Sequence, residues 1–131
     1  MRQQFRLNIE PPTTTHQQKK VRVVCGRPQF YEPTNVKEAR KLYMEALKPY
    51  TPITPYTGAV KLITTFYFKT KTHKDNTWKT TKPDTDNIIK MLKDCMTASN
   101  YWIDDAQVVV DVIRKKWTRG DGFIDVEIEE L

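Results

Sequence analysis

Val60, Leu62, Thr64, Phe66 and Phe68 occupy every second position of one nine-residue stretch. Side chains on a strand alternate between faces, so this row lines one buried face of a sheet. Ile63 adds an apolar residue to the opposite face, as in a central strand covered on both sides. A chain built around such a strand needs flanking strands and an apolar layer over the row.

The rest of the sequence offers both. Phe5, Leu7 and Ile9 alternate with Arg6, Asn8 and Glu10, a half-buried strand that Pro11-Pro12 ends because proline cannot donate to a ladder. Thr13–Lys20 reads as a polar loop, with His16 a loop histidine. Val21–Cys25 and Gln29–Tyr31 read as a hairpin around Gly26-Arg27-Pro28. Asn35 and Glu38 have the spacing of a capping box, and Ala39, Leu42, Tyr43, Ala46 and Leu47 then recur at helical spacing up to Pro49. Pro49–Gly58 forms a connection. A second helix runs from Asp84 to about Ser99 with the stripe Ile88, Met91, Leu92, Cys95 and Met96, and Asn100 is placed to close it in the left-handed conformation. Ala106–Trp117, with Val108, Val109, Val110, Val112 and Ile113, predicts a buried strand. Gly120-Asp121-Gly122 predicts a turn before a last strand, Phe123–Ile128. The order predicts one α+β domain over 1–131: a mixed β-sheet with two main helices packed against it.

A chain of 131 residues suits one such domain with its own core. Apolar stretches such as Leu62–Phe68 fall far short of a membrane span, and the N-terminus lacks the apolar core of a signal peptide, so the expected location is cytoplasmic. Cys25 and Cys95 stand 70 residues apart, outside any CxxC, and read as reduced structural residues rather than zinc ligands.

Charge is unevenly distributed. The net charge is +6, but residues 1–82 carry 16 basic and 5 acidic side chains and residues 83–131 carry 6 and 11. One part could attract a polyanion while the other gathers carboxylates. Lys69, Lys71, His73, Lys74, Lys79 and Lys82, with Trp78 among them, lie in a threonine-rich stretch without period, the best candidate for a mobile loop. It reads either as a solvated loop or as a grip on phosphates with a stacking face. Tyr101-Trp102 read as packing residues, with base stacking the alternative.

Asp84-Thr85-Asp86-Asn87 opens the second helix and Asp104-Asp105 precedes a strand. Singly, Asp84 is a helix cap, Asp86 a first-turn acid and Asp104-Asp105 a polar turn. If the pairs converge, carboxylates about 4 Å apart repel by roughly 4 kcal/mol at an effective dielectric of 20 and need a counter-ion. An oxygen-only donor set suits Mg2+, with Mn2+ a substitute. Lys90, four residues after Asp86, is either a surface ion-pair partner or an ammonium facing the same site.

The segments Asp84-Thr85-Asp86-Asn87-Ile88-Ile89-Lys90 and Tyr101-Trp102-Ile103-Asp104-Asp105-Ala106-Gln107-Val108 resemble the RusA family of Holliday junction resolvases, whose pattern is D-x-D-N-x-x-K at a helix start followed by W-x-D-D-A-Q-V entering a strand. The resemblance implies a homodimeric, Mg2+-dependent endonuclease of phage or prophage type that nicks two opposed strands of a four-way DNA junction. By position it implies Asp84, Asp86 and Asp105 as catalytic metal ligands and Lys90 as the catalytic lysine, with Asp104 ranked below its neighbour. Lys69, Lys71, Lys74, Lys79 and Lys82 are the expected DNA-binding residues. The chain departs from the family near its start, where Pro11-Pro12-Thr13-Thr14-Thr15-His16 replaces a Pro-Pro-Ser-x-Asn-like segment. Two other readings stand beside this one: a DNA-binding module without catalysis, and a metal-dependent nuclease acting on RNA or single strands.

Overall fold

The structure, a computed structural model, describes residues 1–13, 20–24, 27–31 and 34–131. Strand β4 (Val60–Lys69) is the axis of the domain, as its alternation requires. It lies between β6 (Phe123–Glu130), which is antiparallel to it, and β5 (Val108–Thr118), which is parallel. Strand β1 (Arg2–Leu7) pairs antiparallel with the outer side of β6, so the mixed sheet has the order β1-β6-β4-β5. Strands β2 (Lys20–Val24) and β3 (Arg27–Tyr31) form a separate hairpin. Arg27 and Pro28 belong to β3 rather than to the predicted turn, and Cys25 and Gly26 lie outside the described residues, as does His16.

Register carries one apolar row across the sheet. Leu7, Ile124 and Phe66 are neighbours, as are Phe5, Val126 and Thr64, and then Ile128 and Leu62. These residues are buried beneath helix α1 (Thr34–Leu47), through Val36, Ala39, Tyr43 and Leu47, and helix α2 (Thr85–Ala98), through Ile88, Ile89, Met91, Leu92, Cys95 and Met96. The α+β domain with two helices on a mixed sheet is therefore the observed fold. Among the described residues no helix is long and apolar enough to cross a membrane.

The fold differs from the sequence reading in three places. Helix α1 begins at Thr34, one residue ahead of the predicted cap, and the Asn35 side chain accepts the Val36 N–H at 3.0 Å. Strand β5 is an edge strand rather than a buried one: Val109 is 59% and Val110 39% exposed. Its apolar run reads as buried because periodicity reports the two faces of a strand and not whether it has a neighbour at its side. The 70–83 segment is pinned rather than free. Asn76 and Lys79 donate backbone N–H groups to the Trp117 and Lys115 carbonyls, and the Trp117 N–H bonds the Thr77 carbonyl, all within 3.0 Å.

Beyond β5 the chain crosses the end of β4 to reach β6 within four residues. Here Gly122 lies against the Glu10 carboxylate, where a Cβ would come within 2.4 Å of Oε1 and displace that side chain. The Glu10 carboxylate in turn accepts the Lys69 N–H.

Candidate active site

Helix α2 is set by its ends. Asp84 has extended backbone angles, and its carbonyl accepts the N–H groups of Asn87 and Ile88 at 3.2 and 3.1 Å. Its side chain makes no capping bond, so the cap reading does not describe the carboxylate. Asp84, Asp86 and Lys90 are all exposed, and none of their side chains makes a hydrogen bond or ion pair with any described residue. Just upstream, the Lys115 ammonium reaches from β5 to the carbonyls of Thr81 and Pro83, both at 2.8 Å. At the other end Asn100 has φ +63°, the left-handed closure expected of it, and Trp102 Nε1 donates to Thr97 Oγ1 at 2.7 Å. Trp102 and Tyr101 are buried, and the Tyr101 hydroxyl donates to the Leu47 carbonyl, so both are packing residues. Burial pushes the Tyr101 phenol well above its ordinary value.

The Asp104-Asp105 segment forms a 3-10 turn, Asp105–Gln107, ahead of β5. Asp104 accepts the Ala106 N–H at 2.9 Å, while Gln107 Oε1 accepts the N–H groups of Ile103 and Asp104. Gln107 Nε2 donates to the carbonyls of Tyr56 and Gly58. Asp104 and Gln107 thus fix the turn, and the partly exposed Asp105 carboxylate is left without a bond to any described residue.

The two acidic clusters do not meet within the chain. Helix α2 runs antiparallel to β5: Pro83 meets Lys115, Lys93 pairs with Asp111 at 2.9 Å, and Thr97 meets Trp102. Fourteen residues of α-helix at about 1.5 Å each span ~20 Å. Asp84, Asp86 and Lys90 therefore stand toward one end of this pair of elements and Asp105 at the other. Among the described residues no three His, Cys, Asp or Glu side chains come together to hold a metal ion, so one chain does not by itself supply the Mg2+ site that the resemblance implies.

The expected DNA-binding lysines divide. Lys71, Lys74 and Lys82 are exposed, and their side chains make no ion pair or hydrogen bond with a described residue. Lys69 is exposed and pairs with Asp121 at 3.5 Å. Lys79 does not match the expectation of a phosphate contact: it is only 8% exposed, with its ammonium 4.1 Å from the centre of the Trp117 ring and 2.6 Å from Thr81 Oγ1. Burial, and then the neighbouring Lys115 ammonium, lower its pKa. His73 also stacks on the Trp117 indole, at 4.4 Å. Trp78 is exposed and stands under the Lys116 ammonium.

Two residues that build this region escaped the sequence reading. The D-x-x-Q spacing of Asp104 and Gln107 is that of a capping box and could have revealed Gln107. Lys115 carries no such signal within Arg114-Lys115-Lys116, because only the β4–β5 register turns it toward α2.

Residues 10–129 match the family model described as endodeoxyribonuclease RusA. The chain is also 33% identical, over 133 residues and the full length of both proteins, to the crossover junction endodeoxyribonuclease rusA of Lactococcus phage r1t. A match of this extent places the chain in the RusA family of endodeoxyribonucleases.

Proposed function

We propose that this chain resolves four-way DNA junctions by paired, symmetric phosphodiester hydrolysis, depends on Mg2+ with Mn2+ as a substitute, and works as a homodimer. The full-length similarity to a phage crossover junction endodeoxyribonuclease carries this reading. Asp84, Asp86 and Asp105 are the metal-binding acids and Lys90 the assisting ammonium. That their side chains have no partner among the described residues supports these roles, since an acid without a hydrogen bond or ion pair gives up none when it takes a ligand. Lys90 follows Asp86 by one helical turn and can place its charge against a phosphate beside that acid. Lys71, Lys74 and Lys82, with Lys69 beside them, contact the DNA backbone, and Lys79 holds their segment against Trp117. Two opposed nicks on a two-fold junction call for two sites related by two-fold symmetry.

The test is cleavage of a synthetic four-way junction, a matched duplex, a single strand and an RNA strand, each with and without Mg2+. Metal-dependent symmetric nicking of the junction alone is expected. Junction binding without cleavage would favour a DNA-binding module, and cleavage of RNA or single strands would favour the other nuclease reading.

A further inference from the structure

Resting on the DNA-binding reading above, we propose that Trp78 is a base-stacking plate: an unpaired nucleobase of the substrate lies on the free face of its indole, and Arg114 beside it takes a neighbouring phosphate. The backbone sets this plate on the face of the sheet away from the helices. Asn76 and Lys79 donate to the Trp117 and Lys115 carbonyls and Thr77 accepts from Trp117, so residues 76–79 line the edge of β5 in the antiparallel sense, with Trp78 opposite Lys116. Side chains alternate along such a segment. Lys79 therefore turns to the helix side, onto Trp117, and Trp78 to the other. Lys116 pairs with Tyr67 and Tyr67 with Phe123, and their neighbours Phe66 and Ile124 are buried beneath the helices. Trp78, Lys116, Tyr67 and Phe123 thus share the open face.

These residues form a row of cations and rings across the sheet. The Arg6 guanidinium lies 4.0 Å from the centre of the Phe123 ring, Phe123 stacks on Tyr67 at 4.2 Å, and the Lys116 ammonium lies 4.6 Å from the centre of the Trp78 indole. Lys116 also bonds Asn76 Oδ1 at 3.2 Å, which fixes its ammonium behind the indole. Trp78 ends the row: it is 63% exposed, so the face turned from Lys116 meets solvent. Around it the charge is positive. Arg114, two residues before Lys116 on the same face and about 7 Å from it, is exposed and its side chain has no hydrogen bond or ion pair with a described residue. The same holds for Lys74, whose carbonyl accepts the Thr77 hydroxyl. The nearby acids are engaged, Asp125 by Arg6 and Asp75 by the Arg119 N–H. A flat, bare ring beside unpaired cations matches a ligand that is flat in one part and anionic in the next, which is a nucleotide of a single strand. Trp78 precedes Asp84 by six residues, at most ~21 Å of chain, so the stacked base lies within roughly six nucleotides of the strand position at Asp84.

The test compares a short oligothymidylate with an abasic strand of the same length, each labelled and titrated with the full chain by fluorescence anisotropy without metal. The two strands carry the same phosphates and differ only in their bases. Wild type is expected to bind the oligothymidylate at least about fivefold more tightly. Trp78→Ala should lose that margin while its melt and its affinity for the abasic strand stay as in wild type. Trp78→Phe keeps a flat ring and should restore most of the margin, and Arg114→Gln should weaken both strands by the same factor. An unchanged margin in Trp78→Ala overturns the proposal. So does a variant that melts lower and weakens both strands alike, which makes the indole structural. A wild type that binds the four-way junction but holds both strands equally overturns the plate and leaves the resolvase reading intact, whereas one that binds neither strand nor junction removes both. Binding of neither strand, with a self-association that Trp78→Ala weakens in sedimentation, overturns the proposal and assigns the face to a second copy. A loss confined to the oligothymidylate in Arg114→Gln would overturn the phosphate role of Arg114.

Discussion

The Lys115 ammonium lies 2.8 Å from the Pro83 carbonyl oxygen, so the strand that follows Asp105 also fixes the helix start that carries Asp84 and Asp86. One strand therefore bears on both acidic clusters, introducing one at its beginning and anchoring the other near its end. Lys115→Met keeps the aliphatic stem but leaves the Thr81 and Pro83 carbonyls without this donor. Charge-assisted hydrogen bonds contribute about 1.5–3 kcal/mol, less at a partly exposed site, so a loss of about 1–2 kcal/mol is expected. Chemical denaturation should show it as a lower midpoint with an unchanged slope.

Asp84→Asn, Asp86→Asn and Asp105→Asn each remove one charge at nearly constant size. Cleavage should fall by at least a hundredfold in each. Junction binding without metal should hold or tighten, because a carboxylate that repels phosphate is gone, and melting temperatures should stay close to wild type. Glu45→Gln, an exposed carboxylate on α1, should cleave at the wild-type rate. Gel-shift and nicking assays on the same preparations separate the two effects. Near-normal nicking by all three variants would end the metal-site assignment, and loss of binding and cleavage together would make these residues structural.

Junction affinity should depend steeply on salt. Each neutralised duplex phosphate contributes about −0.9 to the slope of log affinity against log salt. Replacing Lys71, Lys74 and Lys82 together by alanine should make the slope shallower by up to ~2.7. Lys79→Ala should instead lower the melting temperature, because it empties a packed position over Trp117. Fluorescence anisotropy over a salt series checks the first expectation, and an unaltered slope would place the DNA surface elsewhere.

Gln107→Glu tests the turn that presents Asp105. Glutamate cannot donate to the Tyr56 and Gly58 carbonyls that Nε2 now bonds at 2.8 and 3.0 Å. The two lost bonds and the new repulsion should cost about 2–3 kcal/mol near neutral pH. Protonating the new carboxyl restores one donor, so the variant's deficit should shrink in acid. Urea titrations at pH 4.5 and 7.5 would reveal it, and an equal deficit at both would assign the loss to something other than donation.

Alkali should unfold the protein. Burial raises the pKa values of Tyr43 and Tyr101 well above the ordinary phenol value near 10. Their folded-state pKa values are raised, so this stabilisation is complete below pH ~10 and is lost as pH rises above it, when the unfolded chain ionises and the folded one does not. Lys79 acts in the opposite sense: its lowered pKa means that its charge costs stability at neutral pH, a cost relieved as pH approaches 10.5. Circular dichroism against pH should show a cooperative transition above pH 10. Tyr101→Phe should flatten the dependence there, and an unflattened curve would assign the transition to other groups.

The strand at Val60–Lys69, the α2 stripe and the left-handed Asn100 were legible in the sequence because each rests on local periodicity or on the conformational range of one residue. So were the acids themselves and their family pattern, since residue type and spacing are all that a motif contains. Tertiary structure alone decided the rest. The apolar run from Val108 to Ile113 became an edge because, among the described residues, no strand lies beyond it. The 70–83 segment became fixed because its backbone donors and acceptors find partners on β5, some 40 residues away in sequence. Lys79 left the company of Lys71, Lys74 and Lys82 because Trp117 lies beneath it. Asp86 and Asp105 stand 19 residues apart in the chain, a spacing that fits either a shared site or two distant ones. A rigid helix lies between them, and its direction against β5 sets them at opposite ends.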